Sequence, residues 1–429
     1  MSRIRIIITI IVVVLTTLLT GCTGKEPNEI AYVVALGIDS TDDDNYKITI
    51  QYANTTQISG GASESGGKAG SEIVDNVTIE APNIYAGVGM ANNIVSKSFS
   101  MSHAKLIVFS KEIAEKGVKD MIETLVRSEE IRPDVFIAVA NTTANDYLTS
   151  VNPEMEVNPA QYYQLIYQKN QLVGIPDGQL REFFTGLYTD NYDSILPVAG
   201  VIEGSGSNRQ NDDKGQSKDG QNEGSEGSSE SLDSFESKSS DDKDENEKEK
   251  DAEKNTSKYE YDIKNYVGGE TAIEKKNKAE AIGAAVFEKD KMVGELGEVE
   301  TEICKILKGD YTYSYLTYYN NDTPDIPITV KTTQQKKPKY KIDTDKKTVD
   351  IELYIESDLY SLPADYNVEN KIEDFERDVA NYTSSACTEF INNFTKKYNS
   401  DILKLNEKVK YKFLTNNQYN WFKKNVGWS

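Results

Sequence analysis

Cys22 is the side chain with the clearest chemistry in this sequence. Arg3 and Arg5 precede an apolar run from Ile6 to Leu19, and Leu19-Thr20-Gly21 leads directly into the cysteine. A charged start, a short apolar stretch and small residues before a cysteine form an export signal whose cleavage exposes a thiol for acylation. The run spans 14 residues, short of the roughly 20 a membrane-spanning helix requires. The mature chain is therefore expected to start at Cys22, leave the cytoplasm and be held to a membrane by acyl chains. Each buried methylene of such a chain contributes about 0.8 kcal/mol, so two or three chains bind durably where one binds reversibly.

Other reactive side chains are few. The sequence has one histidine, His103, in the stretch Ser98-Phe99-Ser100-Met101-Ser102-His103. Serines beside a histidine invite a hydrolytic reading, but no carboxylate nearby in sequence is placed to orient the ring. One histidine also removes most metal sites, and none is expected. Cys304 and Cys387 both lie in helical, amphipathic sequence and read as buried reduced thiols, with pairing left open. Arg127, Glu129, Glu130 and Arg132 cluster at a helix end. They read as a helix-terminus charge group, with a partner-docking patch as the functional alternative. No phosphate-binding loop, dinucleotide fingerprint, zinc-protease helix motif or nucleophile elbow occurs. The chain is expected to be no enzyme and to need no cofactor.

Composition narrows the partners. The 429 residues carry a formal net charge of −22. Such a chain is repelled by nucleic acid and by anionic lipid. Much of the acidity sits in residues 204–258, a run of Ser, Asp, Glu, Lys, Gly and Asn with almost no apolar side chains, expected to be a disordered insert.

Elements read from periodicity must position these residues. Residues 30–39 (IAYVVALGID) and 46–53 (YKITIQYA) predict a hairpin around a polar turn, and 60–71 a flexible loop. Residues 74–80 predict a strand and 83–95 a helix. Residues 104–109, 111–127 and 133–140 predict strand, one amphipathic helix and strand, a βαβ unit in a mixed sheet. Helix follows over 145–150 and over 159–184, interrupted at Gly174-Ile175-Pro176, then a strand at 194–201. Past the insert, 279–293 predicts a hairpin and 296–307 a helix. Strands are predicted at 311–319, 326–333, 339–342 and 348–356. An apolar stripe at three- and four-residue steps from 367 to 407 predicts one or two helices packed on a sheet. The fold class is α+β, with boundaries at 1–21 (signal), 22–203 (first domain), 204–258 (insert), 259–335 (middle domain) and 336–429 (last domain, with the long helix).

Taken in order, several stretches resemble the C-subunit lipoproteins of bacterial spore germinant receptors, the Ger(x)C family. They are LTGC, NEIAYVVALGID, YKITIQYA, SHAKLIVFSKEIAEKGVKDMIETLVRSEEIRPDVFIAVANTTANDYL, ILPVAGV and AIGAAVFEKDKMVGELGEVET, with the C-terminal helix through Ile402 and Trp421. The resemblance covers nearly the whole mature chain except the acidic insert. The family pattern at the 127–132 helix end is Arg-Asp-x-Glu-x-Arg; Arg127, Glu130 and Arg132 match it, and Ser128 replaces the acidic residue. Where the family adds a final strand after Trp421, this sequence runs only to Ser429. The resemblance implies three α+β domains in an extended arrangement and a non-enzymatic subunit needed for spore germination. It implies two integral membrane subunits as partners and a place on the outer face of the spore inner membrane. His103, Arg127, Glu130 and Arg132 are its candidate interface. The alternative is a solute-binding lipoprotein of a transporter, and direct small-molecule binding stays open.

Overall fold

The computed structural model describes residues 3–10, 29–43, 45–53, 74–151, 158–168, 174–189, 192–202, 265–271, 278–320, 323–346, 348–361, 372–398 and 400–425. Cys22, most of the apolar run before it, the 60–71 loop and the acidic stretch 204–258 lie outside these residues. Residues 3–10 are helical and expose Ile4, Ile6, Ile7, Ile8 and Ile10. Among the described residues no helix is long and apolar enough to cross a membrane.

A nine-stranded mixed sheet organises the molecule. The predicted hairpin forms β1 (Ile30–Ser40) and β2 (Tyr46–Ala53), and β3 (Val74–Ala81) pairs antiparallel beyond it. On the other side β1 runs parallel to β5 (Leu106–Ser110), which runs parallel to β6 (Phe136–Ala140), then to β7 (Ile195–Val201). A short β4 (Ser98–Ser100) pairs parallel with the start of β1. Parallel strands are covered on both faces and so read as unbroken apolar runs. Accordingly Ile107 and Phe109 of β5 enter one core, and Leu106 and Val108 the other. The first core is closed by α1 (Ile84–Ala91), α2 (Lys111–Lys116), α3 (Lys119–Val126) and α6 (Leu180–Tyr188), the second by α4 (Ala144–Ser150) and α5 (Pro159–Gln168).

The helix predicted over 111–127 is two helices. Ser110 caps α2 by accepting from the Ile113 N–H, and Gly117 ends it at φ +125°, a conformation that favours glycine. The Val118 N–H then donates to the Asp290 carbonyl at 3.0 Å. A Cβ on Gly117 would stand 2.6 Å from the Asp290 carboxylate, so docking of a distant turn breaks the helix there.

That turn belongs to the hairpin of β8 (Ala279–Glu288) and β9 (Lys291–Leu296), which pairs antiparallel with β7 and extends the same sheet. Strands before and after the acidic stretch, β7 and β8, thus share one sheet. Next, α7 (Glu298–Lys308) has Glu298 and Glu300 in its first turn, Lys305 and Lys308 in its last, and Gly309 at φ +78° as its stop. A three-stranded sheet of β10 (Tyr313–Asn320), β11 (Thr323–Gln334) and β14 (Ile355–Ser361) follows, with a two-stranded one of β12 (Lys339–Asp343) and β13 (Thr348–Glu352). The strand predicted at 348–356 is therefore split. Its first part pairs with β12, and its last residues enter β14 against β11, across the expected boundary at 336. Leu353 and Ile355 turn towards the core at this crossing. The predicted stripe becomes the 26-residue α8 (Ile372–Lys397), short of 407, followed by α9 (Leu405–Lys410) and α10 (Asn416–Asn425).

α7 packs on β8 and β9 and α8 packs on α7, and Cys304, Leu307, Cys387, Phe390 and Phe394 share the resulting core. The two cysteines are buried free thiols. Burial pushes them up to about 11 (Cys304) and about 12 (Cys387).

Candidate docking face

Because β1, β5, β6 and β7 are parallel, their starts lie at one end of the sheet. Lys105 and Phe136 tie the starts of β1, β5 and β6 together, the Lys105 N–H donating to Val34 and the Phe136 N–H to Lys105. Ile30, the first residue of β1, lies eight residues after Cys22 in sequence. The loops before β5, β6 and β7 gather here, and with them every candidate residue of the 98–134 region.

His103 is exposed on the turn that follows β4. Its ring meets Tyr32 edge-on at 4.8 Å between centroids, and its Nδ1 lies 3.0 Å from the Ser102 hydroxyl. That hydroxyl in turn lies 2.9 Å from Ser100 Oγ. These are contacts within one turn, and among the described residues no carboxylate bonds the ring. Glu130 reaches this turn from the loop after α3, where its Oε2 accepts the Met101 N–H at 2.6 Å. A charge-assisted bond of this kind is roughly twice as strong as a neutral one. Ser128 accepts the Glu130 and Ile131 N–H groups, both at 3.2 Å. A hydroxyl thus performs the loop-closing task an aspartate side chain would also perform.

Arg127 and Arg132 stand apart from this pair. Arg127 bonds Glu123 at 2.7 Å, one turn back on α3, and Glu123 also accepts from the Tyr188 hydroxyl of α6. The Tyr188 hydroxyl, with Arg127 behind it, holds the Glu123 carboxyl below its ordinary range. Arg132 forks onto Asp134 at 3.1 and 3.3 Å. Exposed pairs of this kind contribute about 0–1 kcal/mol and leave their charges available to a partner. The structure therefore joins His103 and Glu130 through the Met101 turn and sets the two arginines separately beside them. Among the described residues no three His, Cys, Asp or Glu side chains converge as a metal site.

Two polar groups escaped sequence reasoning. Asp39, at the far end of β1, is buried and caps α4 by accepting the Ala144 and Asn145 N–H groups at 2.6 and 3.0 Å. Burial raises its carboxyl above the ordinary range, against the pull of those two bonds. Gly37 allows the approach, since a Cβ there would stand 3.0 Å from Leu148 and 3.1 Å from Ala144. Below it Gln51 donates to the Leu148 carbonyl at 2.8 Å and accepts from the Tyr163 hydroxyl at 2.5 Å.

The second group ties the C-terminal segment to this end of the sheet. Asp193, just before β7, accepts the Lys289 N–H at 3.0 Å and the Asp401 N–H at 2.9 Å. Asp401 then caps α9 through the Leu405 and Asn406 N–H groups at 2.8 and 2.7 Å. Burial first, and Asp193 beside it, push Asp401 up to about 6. Lys404 sits at φ +58° with its Nζ 4.1 Å from the centre of the Tyr192 ring. A polar cavity of about 490 Å³ opens beside this junction, with Glu182, Asp193, Asp310, Lys308 and Lys404 on its wall.

Two family models match this chain: a spore germination protein N-terminal domain over residues 24–201, and a spore germination B3/GerAC-like C-terminal domain over 282–428. Spore germination protein KC of Bacillus subtilis (strain 168) is 26% identical over 176 residues, 38% of this chain and 43% of that protein. The putative spore germination protein YfkR of the same organism is 28% identical over 145 residues, 34% of this chain and 37% of that protein. The matched stretches span less than half the length of these relatives. The crystal structure of the GerBC protein aligns at a TM-score of 0.47 with 14% identity, over 91% of each chain.

Proposed function

The chain belongs to the GerAC-type spore germination family, and we propose that it is the lipid-anchored, non-enzymatic subunit of a nutrient germinant receptor, needed for spore germination. In this reading acyl chains on Cys22 hold it to the outer face of the spore inner membrane, where it assembles with two integral membrane subunits. The observation that carries the proposal is the match of both family models, in order, on a chain whose first residues end in Leu19-Thr20-Gly21-Cys22. A coupling role needs a stable platform and a surface, and the loops before β5, β6 and β7 supply one.

In this proposal the docking surface is the end of the sheet nearest the anchor. His103 is its exposed ring, Glu130 holds the turn that presents it, and Arg127 and Arg132 supply charges that local pairs leave accessible. The test is the nutrient-triggered fall in optical density of spores lacking this gene, with the intact or the Cys22→Ala copy restored. Loss of the response to one nutrient class, rescued only by the intact copy, is the expected result. Normal germination with every nutrient, in spores stripped of paralogous receptors as well, would reject the receptor role.

A further inference from the structure

The C-terminal segment carries an apolar and basic tip that the fold leaves uncovered. Tyr411 is 83% exposed, Leu414 96% and Trp421 65%, at the end of α9, in the loop after it and on α10. Leu414 and Tyr411 are the most exposed large apolar side chains among the described residues. Their neighbours Phe413, Tyr419 and Phe422 turn inward and stack on one another, with Phe422 packed against Ile342 and Val409. The tip is thus built on its own small core, and Tyr411 and Leu414 stand outside it.

Charge segregates at the same place. From Lys404 to Asn425 the sequence has six lysines and one glutamate, a net +5, in a chain of −22, with the Lys408 and Lys412 ammonium groups donating to the Leu403 and Ile342 carbonyls at its inner side. Tyrosine, tryptophan and leucine beside lysines are the composition of a membrane–water interface, where aromatic rings lie at headgroup level and lysines meet anionic headgroups. The segment is also rooted at the appropriate end of the molecule. Asp401 and Lys404 rest on Asp193 and Tyr192 just before β7, level with the starts of β5 and β6. Eight residues from Cys22 to Ile30 reach at most about 28 Å, so an anchored chain keeps this end near the bilayer.

We propose that Tyr411 and Leu414, in this lysine-rich segment, form a second membrane contact that inserts shallowly into an anionic lipid surface. Its place at the bilayer rests on the Cys22 anchor proposed above. A second contact would convert a tether free to swivel into a platform of fixed orientation, presenting the His103 and Glu130 turn in the plane of membrane partners. The two contacts act in one molecule, so even a weak second one is favoured by the high effective concentration that tethering creates.

The experiment uses the chain from Thr23 onward, which lacks the acylated cysteine and keeps every buried core residue from Ala31 to Phe422. It is sedimented with vesicles of phosphatidylcholine alone and of phosphatidylcholine mixed with phosphatidylglycerol. Binding to the mixed vesicles only is expected, and it should weaken as salt rises from about 0.1 to about 1 M and the screening length falls from about 10 to about 3 Å. The double variant Tyr411→Ser, Leu414→Ser should bind at least tenfold more weakly, because burial of each apolar side chain is lost. Leu414→Ser alone is the control for folding, since that side chain touches solvent almost all round. Binding that the double variant leaves unchanged, or no binding to either vesicle, would overturn the proposal. Labelled palmitate incorporated by the intact gene but not by Cys22→Ala reports on the anchor separately.

Discussion

In the large sheet, β5 and β6 bury every residue, whereas β13 and β14 leave most of theirs at least partly open to solvent. The first pair lies between two helical layers. The second belongs to the two small sheets that follow α7. One half of the molecule therefore concentrates its stability in doubly covered parallel strands, and the other spreads a thin core beneath a large accessible surface. A subunit of the kind proposed would need both a rigid base and an open surface, and this chain keeps them in different places.

The largest expected effect would come from the closed half. Phe109 is fully buried in the core shared by α1, α2, α3 and α6. Phe109→Ala should lower the unfolding free energy by about 3–5 kcal/mol, read as a shift of the urea midpoint without change in slope. A loss below about 1 kcal/mol would mean that this core is not where stability resides, and the comparison would break.

The junction between the halves should respond to pH. Asp401 titrates near 3.8 unfolded and about 6 folded, so the folded state holds the proton more tightly. Its stabilising share is complete below about pH 4 and is lost as pH climbs through 6, by up to about 2–3 kcal/mol. The difference in stability between the native chain and Asp401→Asn, followed from pH 4 to 7, should fall over that window. A flat difference would show that the carboxylate is solvated and the junction looser than its two N–H bonds imply.

Asp39 tests the opposite end of the sheet. Asp39→Ala would leave the Ala144 and Asn145 N–H groups without their acceptor beneath α4, costing about 2 kcal/mol. Thermal unfolding would report it, and Asp39→Asn should recover part of the loss because one acceptor returns.

Much of the closed half was legible because its causes are local. An unbroken apolar run such as LIVF or FIAVA between polar segments is what a strand covered on both faces requires. Legibility ended where a distant element intervened. Thr49 and Gln51 alternate with apolar residues in β2, yet both are fully buried under α4 and α5. The break at Gly117 needed the Asp290 turn, which is remote in sequence. Residues 348–356 carry no glycine or proline to announce that the chain changes sheets. Of the candidate docking residues, the cluster at the end of α3 was visible as charge, but the bond from Glu130 to the His103 turn depends on two loops that only the tertiary structure brings together. The acceptor role of Ser128 could have been found, since a serine before two free N–H groups after a helix is a turn signal.

The smallest expected effect completes the comparison. Leu359 and Tyr360 of β14 are 36% and 57% exposed, and the Tyr360 ring stacks edge-on against Tyr315 at 5.1 Å between centroids. Substituting Leu359→Ser should lower stability by only about 1 kcal/mol, because the side chain keeps over a third of its surface in water. The same is expected of Tyr360→Ser, less the modest ring contact. Germination rate of spores carrying each variant is then the informative measurement. A loss this small with slowed germination would place a partner on the open half as well as at the anchor end. The same small loss with unchanged germination would confine docking to the loops before β5, β6 and β7. A stability loss approaching that of Phe109→Ala would instead show that the thin core is cooperative with the thick one, and that the two halves differ in exposure but not in their share of the folding free energy.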